Sequence, residues 1–225
     1  MTVYLLPDEP VFPLVAEAEP DGLVAIGGDL SAERLIQAYA HGIFPWFSDD
    51  GDVFWYSPDP RMVLFPADLN VSHSLRRVLR SGRYWVSFDT VFEQVIRACA
   101  EVQRPDHDGT WISEDFIEAY TRLHVEGFAH SVEVFDGDRL VGGLYGVSLG
   151  AAFFGESMFY RESNASKVAL ATLAEWCRRN SLQFIDCQVE TSHLRRLGAT
   201  NVTRPAYLNM LKKALAEKTV RAPWK

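Results

Sequence analysis

The chain has 225 residues, a formal net charge of −8, 48% hydrophobic residues and 23% charged ones. That length allows one large domain, or one domain with a small companion, with enough apolar side chains for a real core. The acidic balance, an average over the chain, argues against a nonspecific nucleic-acid coater. No apolar run reaches the roughly 18 residues of a membrane span, and Met1-Thr2-Val3-Tyr4-Leu5-Leu6-Pro7-Asp8 lacks the basic-then-apolar pattern of a secretion signal.

Residues 1–62 are rich in Pro, Gly and aromatics and read as a small N-terminal domain with one helix. That helix has Ser31 as its N-cap, runs through Leu35, Ile36, Ala38 and Tyr39, and stops at Gly42, with Pro45 just beyond. Two aromatic stretches follow, at 42–48 and 54–61. Their prolines rule out a regular helix, so a loop-built apolar wall is expected.

From residue 63 the pattern alternates. Helices are predicted at 73–82, at 90–103 (opened by Asp89 or Thr90), and at 113–126 (capped by Ser113 and closed by Gly127). Strands are predicted at 84–88, 150–159 and 183–188. A hairpin at 129–135 and 139–147 turns through Asp136-Gly137-Asp138. Helices at 164–179 and 205–217 complete an α+β domain over 63–225, with a mixed, largely antiparallel central sheet. This order resembles the core of the GNAT-like acyltransferase fold. Coenzyme A users carry a glycine-rich turn after the third strand, where backbone N–H groups approach the pyrophosphate. Here that turn is Arg161-Glu162-Ser163-Asn164-Ala165-Ser166-Lys167, without glycine. Coenzyme A is disfavoured, and the acyl donor needs another handle.

Cys99, Cys177 and Cys187 have no ligand spacing and suit reduced cytosolic thiols. The six histidines contain no His-x-x-x-His pair, so no metal and no cofactor are expected. Arg76, Arg77, Arg80 and Arg83 fall within eight positions free of acids, on a helix whose apolar stripe is Leu75, Val78 and Leu79. In an acidic chain such a cluster is a candidate phosphate contact, against the alternative of a solvated surface.

The sharpest feature is Phe154-Gly155-Glu156-Ser157-Met158-Phe159 together with Phe184-Ile185-Asp186-Cys187-Gln188. In a regular strand Glu156 and Met158 share one face, as do Asp186 and Gln188. Polar groups set into apolar strands need hydrogen bonds or a use. Either a core network or a site fits.

These segments, with Gly22-Leu23-Val24-Ala25-Ile26-Gly27-Gly28-Asp29-Leu30, Gly42-Ile43-Phe44-Pro45-Trp46-Phe47, Trp55-Tyr56-Ser57-Pro58-Asp59-Pro60-Arg61, Gly109-Thr110-Trp111-Ile112 and Asn164-Ala165-Ser166-Lys167, resemble the leucyl/phenylalanyl-tRNA–protein transferases over residues 22–188. The resemblance implies a cytoplasmic aminoacyltransferase that moves Leu or Phe, and Met weakly, from aminoacyl-tRNA to proteins with N-terminal Lys or Arg. That transfer marks them for N-end-rule degradation. It also implies roles. Asp186 and Gln188 act on the acceptor amine by positioning and proton relay. Glu156 holds the donor's α-amino group or terminal ribose. Leu144, Met158, Leu170, Leu173 and Ile185 form the side-chain pocket, and Ser157 is a further substrate-binding residue. Trp46 and Trp111 are platforms for the terminal adenine, and Tyr120 adds a hydroxyl near the donor. Arg76, Arg77, Arg80 and Arg83 take acceptor-stem phosphates. The chain departs from the family pattern at Leu144 and Leu173, where relatives carry Met and Phe. An aminoacyl ester is already activated, so the chemistry needs positioning rather than a metal or covalent nucleophile; positioning can supply about 7–11 kcal/mol. Two other readings stay open: a GNAT-type amine acetyltransferase, and a non-catalytic adaptor that recognises N-terminal Lys or Arg through an acidic groove.

Overall fold

The computed structural model describes residues 4–47, 52–102, 112–221 and 223–224. Its first sheet has four strands, β1 (Tyr4–Leu5), β2 (Leu23–Ile26), β3 (Phe44–Phe47) and β4 (Val53–Tyr56), in the order β1-β2-β4-β3. Helix α1 (Ala32–Ala40) lies between β2 and β3 in the chain, and the Ser31 side chain accepts from the Arg34 N–H as its cap. Arg34 is fully buried and donates to the carbonyls of Glu9, Pro7 and Asp8, so it pins the N-terminal segment.

The stretches read as loops at 42–48 and 54–61 are therefore largely strands. Their aromatics pair across the ladder, Phe44 opposite Tyr56 and Trp46 opposite Phe54. Pro45 is tolerated because β3 is an edge strand, where a missing N–H breaks no second ladder.

The second sheet has seven strands: β5 (Arg61–Leu64), β6 (Trp85–Phe88), β7 (Ala129–Asp136), β8 (Arg139–Leu149), β9 (Ala152–Tyr160), β10 (Phe184–Gln188) and β11 (Thr200–Val202). Their order is β11-β5-β10-β9-β8-β7-β6, with β9 and β10 parallel and the other pairs antiparallel. Strands β5 and β11 are additions that sequence pattern alone missed. The helices are α2 (His73–Arg80), α3 (Phe92–Ala100), α4 (Glu114–Val125), α5 (Ala165–Arg179), α6 (Ser192–Arg196) and α7 (Arg204–Leu215). Ser72, Ser113, Thr191 and Thr203 cap α2, α4, α6 and α7 through their side chains.

Helix α3 has no side-chain cap. Asp89 is spent elsewhere, accepting from Ser131 N–H and Trp224 N–H and pairing with His130. Thr90 donates back to the Phe88 carbonyl. Leu79, placed on the apolar stripe of α2, is 41% exposed, so Leu75 alone of that stripe is fully buried.

Alternation along β8 divides the core. Leu144 faces the apolar cluster containing α5, and Tyr145 faces the one containing α3, α4 and residues of the first sheet. The second cluster runs without a break from Val24, Phe44 and Trp55 to Phe116, Tyr120 and Phe154, so the two sheets share a core. Among the described residues no helix is long and apolar enough to cross a membrane, and no group of three His, Cys, Asp or Glu gathers to hold a metal.

Candidate active site

Parallel pairing of β9 with β10 stops at Asp186 opposite Phe154. Past that point both strands carry bulges on their other edges. Against β8 the register passes from Gly155 directly to Ser157, leaving Glu156 as the extra residue. Against β5 it passes from Asp186 to Gln188, leaving Cys187 extra, with Gln188 at φ 62°. Bulges break the two-residue alternation and re-aim side chains. As a result Glu156, Ser157 and Met158 line one cavity in succession, and so do Asp186, Cys187 and Gln188. A strict pleat forbids such runs. Gly146 permits the tight approach of β8 to this irregularity: a Cβ there would lie 2.1 Å from the Phe154 carbonyl oxygen.

The cavity, about 560 Å³, has an apolar wall of Leu144, Phe153, Met158, Leu170, Leu173 and Ile185, and Phe44, Pro45 and Trp46 complete its rim. Ser157 also lines it. Trp46 sits against Phe44 and Tyr56 at ring distances of 6.3 and 6.1 Å, so its orientation is set by the first sheet. Trp111 lies outside the described residues.

Two carboxylates sit at the polar end, and their surroundings differ sharply. Asp186 is fully buried and receives four donors: Arg61 Nε at 2.9 Å, Arg61 Nη2 at 2.7 Å, Tyr207 OH at 2.7 Å and the Gln188 N–H at 2.8 Å. Arg61 is equally buried, donates also to the Gly42 carbonyl at 3.1 Å, and lies between the rings of Phe44 and Tyr207, 4.7 Å from each centroid. Burial works against the Arg61 charge, and the Asp186 carboxylate more than compensates, raising its pKa above the usual guanidinium range. Taking both ions out of water costs several kcal/mol each, offset here by bidentate geometry and a full set of hydrogen bonds. The Asp186 carboxyl group is thus fixed in place, and its Oδ1 accepts from the Gln188 N–H at the left-handed turn.

Glu156, 8% exposed, accepts from Tyr120 OH at 3.1 Å and from Gln188 Nε2 at 2.8 Å. Tyr120 is fully buried and hydrogen-bonded to Tyr39, so it supports Glu156 from the core side rather than lining the cavity. Burial first, and the Asp186 charge as well, push Glu156 up from 4.5 to about 7 against the hydrogen bonds of Tyr39, Tyr120 and Gln188. A carboxyl poised at that value can both take and return a proton near neutrality.

The arginines divide. Arg76, Arg77 and Arg80 are exposed on α2 and make no ion pair among the described residues, whereas Arg83, beyond the helix end, pairs with Asp136 at 2.9 Å and Glu162 at 3.3 Å. Sequence reasoning missed Arg61, Tyr207 and Tyr39. Arg61 had a signal, a lone cation closing the Trp55–Arg61 motif at the start of an apolar run. Tyr207 and Tyr39 had none, being aromatics on helix faces like any other core residue.

The family model described as leucyl/phenylalanyl-tRNA protein transferase matches residues 63–212, and that of its N-terminal domain matches residues 28–59. Leucyl/phenylalanyl-tRNA–protein transferases of Anaeromyxobacter dehalogenans (strain 2CP-C) and Myxococcus xanthus (strain DK1622) are 56% and 53% identical to it. Each covers all of this chain, over 96% and 97% of their own lengths. Among solved structures, an aminoglycoside acetyltransferase from an uncultured soil metagenomic sample is similar at 11% identity and TM-score 0.38, over 64% of this chain and 97% of that one. L-PGS from Bacillus licheniformis is similar at 9% identity and TM-score 0.42, over 86% and 73%. At these scores the structural likeness bears on neither substrate nor mechanism. Full-length identity above one half, with both family models in register, is decisive: the chain belongs to the leucyl/phenylalanyl-tRNA–protein transferase family.

Proposed function

We propose that the chain transfers Leu or Phe, and Met weakly, from the 3′ end of aminoacyl-tRNA to the α-amine of proteins beginning with Lys or Arg, in the cytoplasm, as a mark for N-end-rule degradation. The observation that carries this reading is the cavity whose largely apolar, aliphatic wall is joined by the hydrogen-bonded pair Glu156 and Gln188. Leu144, Met158, Leu170, Leu173 and Ile185 take the donor side chain, and Met158 adapts to its shape. Trp46 carries the adenine. Exposed Arg76, Arg77 and Arg80 meet acceptor-stem phosphates, and the paired Arg83 contributes less. Residues 1–62 supply the aromatic rim and residues 63–225 the transferase sheet.

In the reaction the acceptor nitrogen bonds to the ester carbonyl carbon and the bond from that carbon to the ribose oxygen breaks. One proton leaves the amine and one reaches the ribose hydroxyl. Glu156 is the group suited to carry it, since its pKa lies near 7. Gln188 orients the reacting atoms, and Asp186 acts as a positioning residue through Gln188 rather than as a base, because its lone pairs are already occupied. Transfer of labelled Phe from Phe-tRNA to a protein beginning with Arg, compared with the same protein beginning with Ala, tests the reading. Label on the Arg protein alone is expected; equal labelling, or none, would refute it.

A further inference from the structure

A second cavity, about 830 Å³, adjoins the first and shares Met158 and His193 with it. Its floor is the first turn of α5. Asn164, the N-cap, sits at φ 69° and makes no side-chain cap, leaving the first-turn N–H groups of Ser166 and Lys167 open. Independently of the helix end, the Ser166 side chain lines this cavity, is only 5% exposed as a residue, and makes no hydrogen bond among the described residues. The residue as a whole is nearly buried while its hydroxyl, without a hydrogen-bond partner, is left to the cavity. Lys167 Nζ, on the next residue, donates to the Asn164 side-chain oxygen Oδ1 at 3.3 Å. The surroundings are locally positive: burial first, and then the charges of Lys167 and Arg196, lower the His193 pKa. On the cavity's outer edge Tyr160 is 67% exposed, an open aromatic face. Among the described residues, the one carboxylate lining the cavity, Glu101, is ion-paired with Arg161 at 3.2 Å.

We propose that this second cavity is a nucleotide subsite, in which Ser166 Oγ, the first-turn N–H groups of α5 and Lys167 hold the phosphodiester immediately 5′ to the donor's terminal adenosine while Tyr160 stacks on the preceding base. The inference rests on the aminoacyl-tRNA reading of the neighbouring site. A helix N-terminus with open N–H groups favours an anion, a hydroxyl and an ammonium complete its coordination, and an exposed ring accepts any base. The shared walls Met158 and His193 set this cavity beside the donor cavity.

Two minimal donors separate the possibilities. Phenylalanyl-adenosine lacks the 5′ phosphate, whereas cytidylyl-(3′-5′)-adenosine charged with Phe carries it together with the extra base. The wild-type protein is expected to show a lower KM for the dinucleotide donor. Ser166→Ala and Lys167→Ala should each raise that KM by about tenfold, the scale of a hydrogen bond to a charged group, with kcat and all kinetics on phenylalanyl-adenosine unchanged. Tyr160→Ala should reduce the dinucleotide advantage in the same way. Equal KM for both donors in the wild type, or variants that impair both donors alike, would overturn the subsite while leaving the transferase reading intact. Failure of the wild type to use either donor would instead overturn the transferase reading and the subsite with it.

Discussion

Replacing Glu156 with Gln keeps the shape and one accepting oxygen, for Gln188 Nε2, turns an NH2 group toward the Tyr120 hydroxyl oxygen, and removes the titration. In the unfolded chain this carboxyl ionises near 4.5, and in the folded protein near 7. A raised carboxyl pKa means that the folded state binds the proton more tightly. The stabilisation is therefore complete below pH 4.5 and is lost as pH climbs to about 7. A rise from 4.5 to about 7 corresponds to about 3 kcal/mol. Urea unfolding of both proteins at intervals from pH 4 to 8 should show the variant gaining about 3 kcal/mol on the wild type across that window, with the difference level on either side. In parallel, wild-type transfer should rise with an apparent pKa near 7. The variant should be slower by about 10²–10⁴-fold, with that limb flattened. A stability difference that does not change between pH 4.5 and 7 would show that Glu156 titrates as an ordinary carboxyl, and its assignment as the proton carrier would fall.

Three further outcomes are expected. Arg61→Met leaves Asp186 buried without its partner and should cost about 3–5 kcal/mol in urea unfolding, whereas the double variant with Asp186→Asn should recover a sizeable part; a double variant no better than the single one would mean the pair is not the source of the loss. Leu173→Ala should shift the ratio of donor amino acids toward bulkier side chains, changing discrimination by about 1–3 kcal/mol. A loss of stability of about 2–5 kcal/mol without any change in that ratio would leave Leu173 as core only. Arg76→Gln with Arg77→Gln should flatten the salt dependence of tRNA binding by about 0.7–0.9 log units per contact, while Arg83→Gln, already ion-paired, should change it less; equal slopes for all of them would make α2 plain solvated surface.

Much of the molecule was legible in the chain because the information was local. Ser31 and Ser113 are helix caps by side-chain chemistry, and each is found doing that work. The hairpin around Gly137, helix α5 and the two strands that flank it followed from hydrophobic periods of 2 and 3.6 residues, whereas the parallel pairing of those strands is a fact of the sheet. Glu156, Asp186 and Gln188 stood out because polar groups do not interrupt apolar strands without hydrogen bonds or a use, and the structure brings them together through hydrogen bonds. Three kinds of feature were decided only by tertiary structure. The aromatic segments of residues 44–56 became strands because their rings pair across a ladder and Pro45 falls on an edge, a fact of sheet order rather than of composition. The bulges at Glu156 and Cys187, which turn successive side chains into one cavity, arise from register against β8 and β5, and no single segment encodes its partner's register. The division of labour between the two carboxylates was equally invisible. Asp186 meets Arg61 from 125 residues away and Tyr207 from 21, whereas Glu156 meets only neutral donors, so two carboxyl groups alike in sequence sit in an ion pair in one place and among neutral donors in the other. Local pattern specifies which elements form; long-range charge and register specify what each side chain can do.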